Sequence, residues 1–183
     1  MICVIPARGG SQRIFFKNIR LFHGKPIIAY SIELGLYNCY STIVSTDSKD
    51  IAAVAREYGA QVHERPPALA RDEIGTQEVA RGVIEDLALT GTICVLYATS
   101  PLLTNANISR AEKAHFNDPA FTFRYSADYM GETTGGFCIG QHNMFHLEPY
   151  AYGLPWPTED IDINTPEDWS RAEKLYEEIN HGN

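Results

Sequence analysis

Apolar runs alternate with amphipathic stretches along most of the chain. Residues 1–5, MICVI, are an apolar run closed by Pro6, which predicts a buried strand. Residues 26–38 place Ile27, Ile28, Ser31 and Leu34 near helical spacing, with Pro26 suited to a first turn. The β-branched run 42–46 predicts a second strand, with Asp47 at its carboxyl end. A helix is predicted over 48–58, stopped by Gly59, and then a short strand over 61–64, broken by Arg65-Pro66-Pro67. Thr76 suits the cap of a helix over 77–87. A continuous apolar strand is predicted over 92–97, followed by the loop Ala98-Thr99-Ser100-Pro101. The pattern then predicts a helix over 106–116, a strand over 121–124, a polar glycine-containing loop over 125–136 and a strand over 137–139. Residues 160–164, DIDIN, alternate polar and apolar, which predicts a strand with Asp160, Asp162 and Asn164 on one face. Thr165-Pro166-Glu167-Asp168 supplies the cap, first-turn proline and early acids of a helix start, for a helix over 169–179.

This order predicts a three-layer α/β domain: a mostly parallel twisted sheet, right-handed in its crossovers, with helices on both faces. The 183 residues suit one domain, 1–183, with no repeat or linker. A hydrophobic fraction of 44% with 21% charged residues is that of a soluble globular protein. The net charge of −8, with no basic block, argues against a nucleic-acid partner and makes any anion site a local feature. No run approaches the ~20 apolar residues of a membrane span, and the first apolar run is too short for a signal peptide. Cys3, Cys39, Cys94 and Cys138 form no C-x-x-C pair and read as reduced thiols of a cytoplasmic protein. His142 and His146 are four apart but lack the helix a metal pair needs, so structural or surface roles are expected.

The candidate chemistry begins where the first strand ends. Arg8, Gly9, Gly10, Ser11, Gln12, Arg13, Lys17 and Asn18 make a basic, glycine-containing loop. Glycines let backbone N–H groups approach phosphate, and Arg8, Arg13 and Lys17 supply counter-charge. The loop is neither a Walker A loop nor a G-x-G-x-x-G turn. On chemistry alone, an ordinary turn with solvated charges explains it equally well.

The same stretch, VIPARGGSQRIFFKN, resembles the signature loop of the CMP-sugar synthetases, the cytidylyltransferases that activate sialic, pseudaminic and 3-deoxy-octulosonic acids. Further segments resemble that family in the same order: VSTDSKDIAAVAREYGAQV, RPPALARDEIGTQEV, YATSPLL and DIDINTPEDW. Three features depart from the pattern. Gln12 stands where a second lysine is usual, Asn164 stands where a second aspartate is usual, and the segment 121–136 is short, holding only Arg124 as a basic residue. The family's dimerisation arm is therefore expected to be reduced or absent, leaving a monomer or an atypical homodimer.

The resemblance implies a Rossmann-like nucleotidyltransferase fold and an Mg²⁺-dependent cytidylyltransferase using CTP and a sugar acid. Lys17 and Arg8 would be catalytic. Arg8, Gly9, Gly10, Ser11, Asn18, Arg65, Asp72 and Thr76 would bind the nucleotide, and Asp162 with Asn164 would hold Mg²⁺, Asp160 sharing their face. YAT slightly favours a pseudaminic-type acceptor. Two other readings stay open here: a non-catalytic nucleotide-binding relative, and a nucleotidyltransferase for a smaller acceptor.

Overall fold

The computed structural model describes residues 1–117, 123–127, 133–146, 153–157 and 160–181. Its centre is a seven-stranded sheet in the order β5-β4-β1-β6-β8-β7-β9. The strands are β1 (Ile2–Pro6), β4 (Ser41–Thr46), β5 (Gln61–Glu64), β6 (Thr92–Leu96), β7 (Phe123–Ala127), β8 (Thr133–Gln141) and β9 (Gly153–Pro157). Pairing is parallel from β5 through β4 and β1 to β6, and between β7 and β9; β8 alone runs antiparallel to its neighbours. The helices are α1 (Ile27–Asn38), α2 (Lys49–Glu57), α3 (Thr76–Asp86), α4 (Asn105–Asn117) and α5 (Pro166–His181).

Alternation along β1 sets the layers, since successive side chains point to opposite faces. Cys3 and Ile5 join Ile28 and Ile32 of α1, Ile51 and Ala55 of α2 and Ile108 of α4 on one face. Ile2 and Val4 join Ala80, Val83 and Ile84 of α3 on the other. The result is the expected three-layer α/β arrangement. A third cluster of Ile14, Phe22, Ile27, Ile161, Ile163 and Trp169 fixes α5 against a small hairpin, β2 (Leu21–Phe22) and β3 (Lys25–Pro26). Phe22 is fully buried and edge-on to Tyr30, Trp169 and Tyr176. Phe22→Ala is expected to cost about 3–5 kcal/mol of stability in urea unfolding, as for other buried phenylalanines.

Several expectations are corrected. The loop over 125–136 is largely strand where described: β7 reaches Ala127 and β8 begins at Thr133. Glycines 135 and 136 weaken strand propensity locally, but pairing on both sides overrides it. The rest of that stretch, and the start of the strand over 121–124, lie outside the described residues. Residues 160–164 form no ladder, although Ile161 and Ile163 are buried as the alternation requires. Pro26 precedes α1 and pairs in β3 instead of opening the helix. The hairpin β2–β3 leaves no periodic signal in the sequence, since each strand has two residues. Its turn, His23-Gly24, has positive φ at both positions (43° and 90°), the conformation of a primed two-residue turn.

Candidate active site

The carboxyl ends of β1, β5 and β6 open into a cleft of about 440 Å³. This is where parallel α/β sheets place ligands. Arg8, Ser11, Lys17, Asn18, Arg65, Asp72, Thr76, Asp162 and Asn164 all line it, so nearly every residue expected at the site converges there. Arg13, Tyr97 and Thr99 line it as well.

Gly9 and Gly10 are placed differently. The Gly9 N–H donates to Asp47 Oδ1 at 2.9 Å, and Gly10 is exposed. Asp47, at the end of β4, thus anchors the loop from below. A Cβ on Gly9 would lie 2.9 Å from Ser48 Cβ, so glycine is required there for close approach to the start of α2. The loop is tied again at its far end, where Asn18 Nδ2 donates to Arg8 O at 2.9 Å. Asn18 is therefore buried scaffolding for the loop as well as a cleft residue.

Phe16, in the left-handed region at φ 53°, turns the chain so that Lys17 faces inward. Lys17 Nζ donates to Ile163 O at 2.7 Å and to Asn164 Oδ1 at 3.2 Å. Burial pushes the Lys17 ammonium down from its ordinary value, Asp162 pulls the other way, and Arg13 and Arg8 add to the fall. Asp162 accepts from the Thr99 hydroxyl at 2.6 Å and from Asn164 Nδ2 at 2.9 Å. Burial raises the Asp162 carboxyl, opposed by those two bonds and by Lys17. Asn164 is held in turn by Asp168, whose Oδ2 accepts from the N–H groups of Asn164 (3.0 Å) and Thr165 (2.8 Å). Burial would raise the Asp168 carboxyl, but these bonds and Arg171 hold it below the ordinary value. Asp168 N donates to Thr165 Oγ1 at 3.2 Å, so the predicted cap is formed.

On the opposite wall, Arg8 is ion-paired with Asp72, and Gln12 Nε2 donates to the same carboxylate at 3.1 Å. Gln12, the departure from the family pattern, thus braces Asp72 next to Arg8. An arriving phosphate must exchange with Asp72 for the guanidinium. If the cleft takes CTP, as the sequence resemblance implies, Asp72→Asn is expected to tighten its binding by about two- to fivefold at low salt, the scale of a half-exposed ion pair, with the gain lost at high salt. Calorimetry at two ionic strengths checks this; weaker binding at both would make Asp72 a nucleotide contact instead. Thr76 is the first residue of α3, not its cap. Gly75 holds the cap position, its N–H donating to Glu78 Oε2 at 2.9 Å.

Asp160 does not line the cleft with Asp162. It is buried, and neither carboxylate oxygen has a hydrogen-bond partner of good geometry among the described residues. Burial pushes its carboxyl up to about 7, with Asp162 adding to the rise and the nearby Ser100 hydroxyl opposing it. In the unfolded chain the group ionises near its ordinary value, so between those values the unfolded state loses a proton that the folded state keeps. The stability contributed by Asp160 is present at acid pH and lost as pH rises toward 7. With chelator present, Asp160→Asn is expected to flatten the fall in melting temperature across that window.

Thr99, Asp47 and Asp168 were not among the expected site residues. Only the placement of each at the end of a strand or start of a helix signals its role.

The sheet order and the cleft define a nucleotidyltransferase-type α/β fold. It resembles the solved structure of CMP:2-keto-3-deoxy-manno-octonic acid synthetase complexed with CTP (TM-score 0.78, 14% identity, 97% of this chain and 98% of that one). It also resembles a nucleotidyl transferase from Methanothermobacter thermautotroptrophicus (TM-score 0.75, 13% identity, 97% and 98% covered). A family model described as Cytidylyltransferase matches residues 2–137, and the chain belongs to that family. A pseudaminic acid cytidylyltransferase of Campylobacter jejuni is 36% identical over 154 residues, 80% of this chain; the match spans 66% of that relative, just under two thirds of its length. A CMP-N,N'-diacetyllegionaminic acid synthase of Legionella pneumophila is 38% identical over 229 aligned positions, covering 97% of this chain and 96% of that one. Since 229 positions exceed the 183 residues here, that alignment carries gaps in this chain, consistent with a shorter segment than in the relative. Among the described residues, no helix is long and apolar enough to cross a membrane.

Proposed function

We propose that the chain transfers CMP from CTP to the anomeric hydroxyl of a nonulosonic-type sugar acid and releases pyrophosphate, in the cytoplasm. The observation that carries this reading is the convergence of Lys17, Arg8 and Asp162 in one cleft of a chain from the cytidylyltransferase family. Its relatives are named for pseudaminic and legionaminic acids.

The sugar hydroxyl loses its proton to water and its oxygen attacks the α-phosphorus, while the bond from that phosphorus to the bridging oxygen breaks and pyrophosphate leaves with the bridging oxygen. Such transfers rest mainly on positioning and charge stabilisation. Lys17 is rigidly held by Ile163 O, so its ammonium is preorganised for charge that builds on the α-phosphate. Arg8, once Asp72 is displaced, is free for the leaving pyrophosphate.

Magnesium is part of the proposal, and the residues present fit it. Asp162 is an ionisable carboxylate raised by burial, a charge that a bound cation would relieve. Asn164 faces it through the amide nitrogen, so the Asn164 carbonyl oxygen, which accepts from Lys17, would have to turn to join Asp162 at a cation. Mg²⁺ typically takes one or two carboxylates and completes its shell with phosphate oxygens and water. When bound it would neutralise phosphate charge. The arm being short, a monomer or a dimer on a smaller surface is expected, which light scattering decides.

Pyrophosphate release from CTP, ATP, GTP and UTP, each with a panel of sugar acids and Mg²⁺, tests the reading. Turnover with CTP and a nine-carbon acid is expected; equal rates with all four nucleotides, or none, would overturn it.

A further inference from the structure

A chain of hydrogen bonds, buried as far as His63, runs from the cleft to the half-exposed end of α3. Arg65 Nε donates to Ser45 Oγ at 3.4 Å and Arg65 Nη2 to Ser45 O at 2.7 Å. Ser45 Oγ lies 3.1 Å from His63 Nδ1, its register neighbour across the β4–β5 pair. His63 Nε2 lies 3.1 Å from Asp86 Oδ2. Ser45 is fully buried, and His63 and Arg65 are each 7% exposed.

For a neutral His63 ring the donor inventory gives every bond in this chain a direction. A guanidinium only donates, so Ser45 Oγ accepts from Arg65. The Ser45 hydroxyl proton then points to His63 Nδ1, the unprotonated nitrogen of that ring. The ring proton is left on Nε2 and donates to Asp86, whose carboxylate only accepts. Asp86 closes α3 at the end where the helix dipole disfavours an acid, and the group it meets there is His63. Ser45 cannot serve as a nucleophile, because its hydroxyl is committed to this chain and sealed from the cleft.

Arg65 stands apart from the reacting centre. Its guanidinium is bound to β4, whereas Thr99 and Asp162 lie at the end of β6. Two strand spacings separate them, on the order of 10 Å. Arg65 therefore meets a part of the nucleotide remote from the transferred phosphate.

We propose that His63 is a positioning residue for Arg65: anchored by Asp86, its neutral ring accepts the Ser45 hydroxyl hydrogen bond, so Ser45 turns only lone pairs toward the guanidinium and fixes the plane in which Arg65 meets the nucleotide. This rests on the nucleotidyl-transfer reading above. The effect falls on nucleotide affinity and base preference, not on the transfer step.

The test compares His63→Phe, His63→Asn, Ser45→Ala and Asp86→Ala by two readouts. The first is independent of activity: the NMR signal of the Arg65 Nε–H, which a fixed, buried bond protects from solvent exchange. The second is KM and kcat with CTP and UTP. In His63→Phe and Ser45→Ala the Nε–H signal is expected to be lost. The KM for CTP is expected to rise about tenfold, the scale of one hydrogen bond to a charged group, with a smaller preference over UTP and kcat within about twofold. His63→Asn, whose Oδ1 can accept from Ser45, should recover most of the loss. Asp86→Ala, at a half-exposed helix end, keeps the test open should His63→Phe fail to fold, and should give a smaller rise of the same kind. A retained Nε–H signal in both Ser45→Ala and Asp86→Ala overturns the relay. So does a lost signal with unchanged KM and base preference, or a fall in kcat at constant KM. If the wild type uses no CTP, the proposed function fails separately, and the Nε–H comparison still decides whether His63 positions Arg65.

Discussion

Lys17→Ala is expected to lower kcat for CMP transfer by about 10²- to 10³-fold, as does removal of one preorganised donor at other transition states. The reason is geometric. Lys17 is held at 2.7 Å by Ile163 O, so no reorganisation is needed when charge develops on the phosphate. Stability should change little. The variant loses two hydrogen bonds, but it also relieves the burial that lowers the Lys17 pKa. Steady-state kinetics beside a thermal melt separate the two effects. Equal turnover of wild type and variant would remove Lys17 from catalysis. A large drop in melting temperature would make it a structural tie.

Asp162→Asn is expected to abolish Mg²⁺-dependent turnover, a loss of about 10²-fold or more, since one bound metal supplies several kcal/mol of charge stabilisation. Asn164→Asp should act in the opposite sense and lower the Mg²⁺ concentration needed. The amide at 164 contributes no charge, and its oxygen is engaged by Lys17 while its nitrogen donates to Asp162. A carboxylate there could not donate to Asp162, and two acids in contact repel until a dication joins them. Asn164→Asp should therefore melt lower than wild type in chelator and regain stability with Mg²⁺. Mn²⁺ titration followed by electron paramagnetic resonance gives a binding readout independent of turnover. If Asp162→Asn binds Mn²⁺ as the wild type does, the metal lies elsewhere.

The parts legible in the sequence were those with long periodic signals. Among the described residues, the five α-helices and the parallel strands β5, β4, β1 and β6 follow from apolar spacing, caps and β-branched runs. The glycine-containing start of β8 has the composition of a loop, because a strand's pairing partners are invisible in its own residues. Residues 160–164 alternate like a strand, yet Ile163 N donates to Thr99 O at 3.0 Å without a ladder. The pattern reported which side chains are buried, not what the backbone pairs with. The site itself was legible as a set of residues, because Arg8, Lys17, Arg65 and Asp162 occur in recognisable local stretches. Their mutual contacts were not. Asp72 beside Arg8 and His63 beside Ser45 join residues 64 and 18 positions apart, and no local signal marks either pair.

The bond from Lys17 to Ile163 joins positions 146 apart, nearly the length of the chain. Contacts of such sequence separation form late, after loop closure has been offset by other pairings. The parallel strands β1, β4, β5 and β6 all lie before residue 97, so the central part of the sheet precedes the segment that carries Asp162. A refolding chain should therefore recover its sheet, and its far-ultraviolet signal, before it recovers any turnover. Activity regained during refolding would then serve as a clock for the docking of the last segment rather than for the formation of the domain.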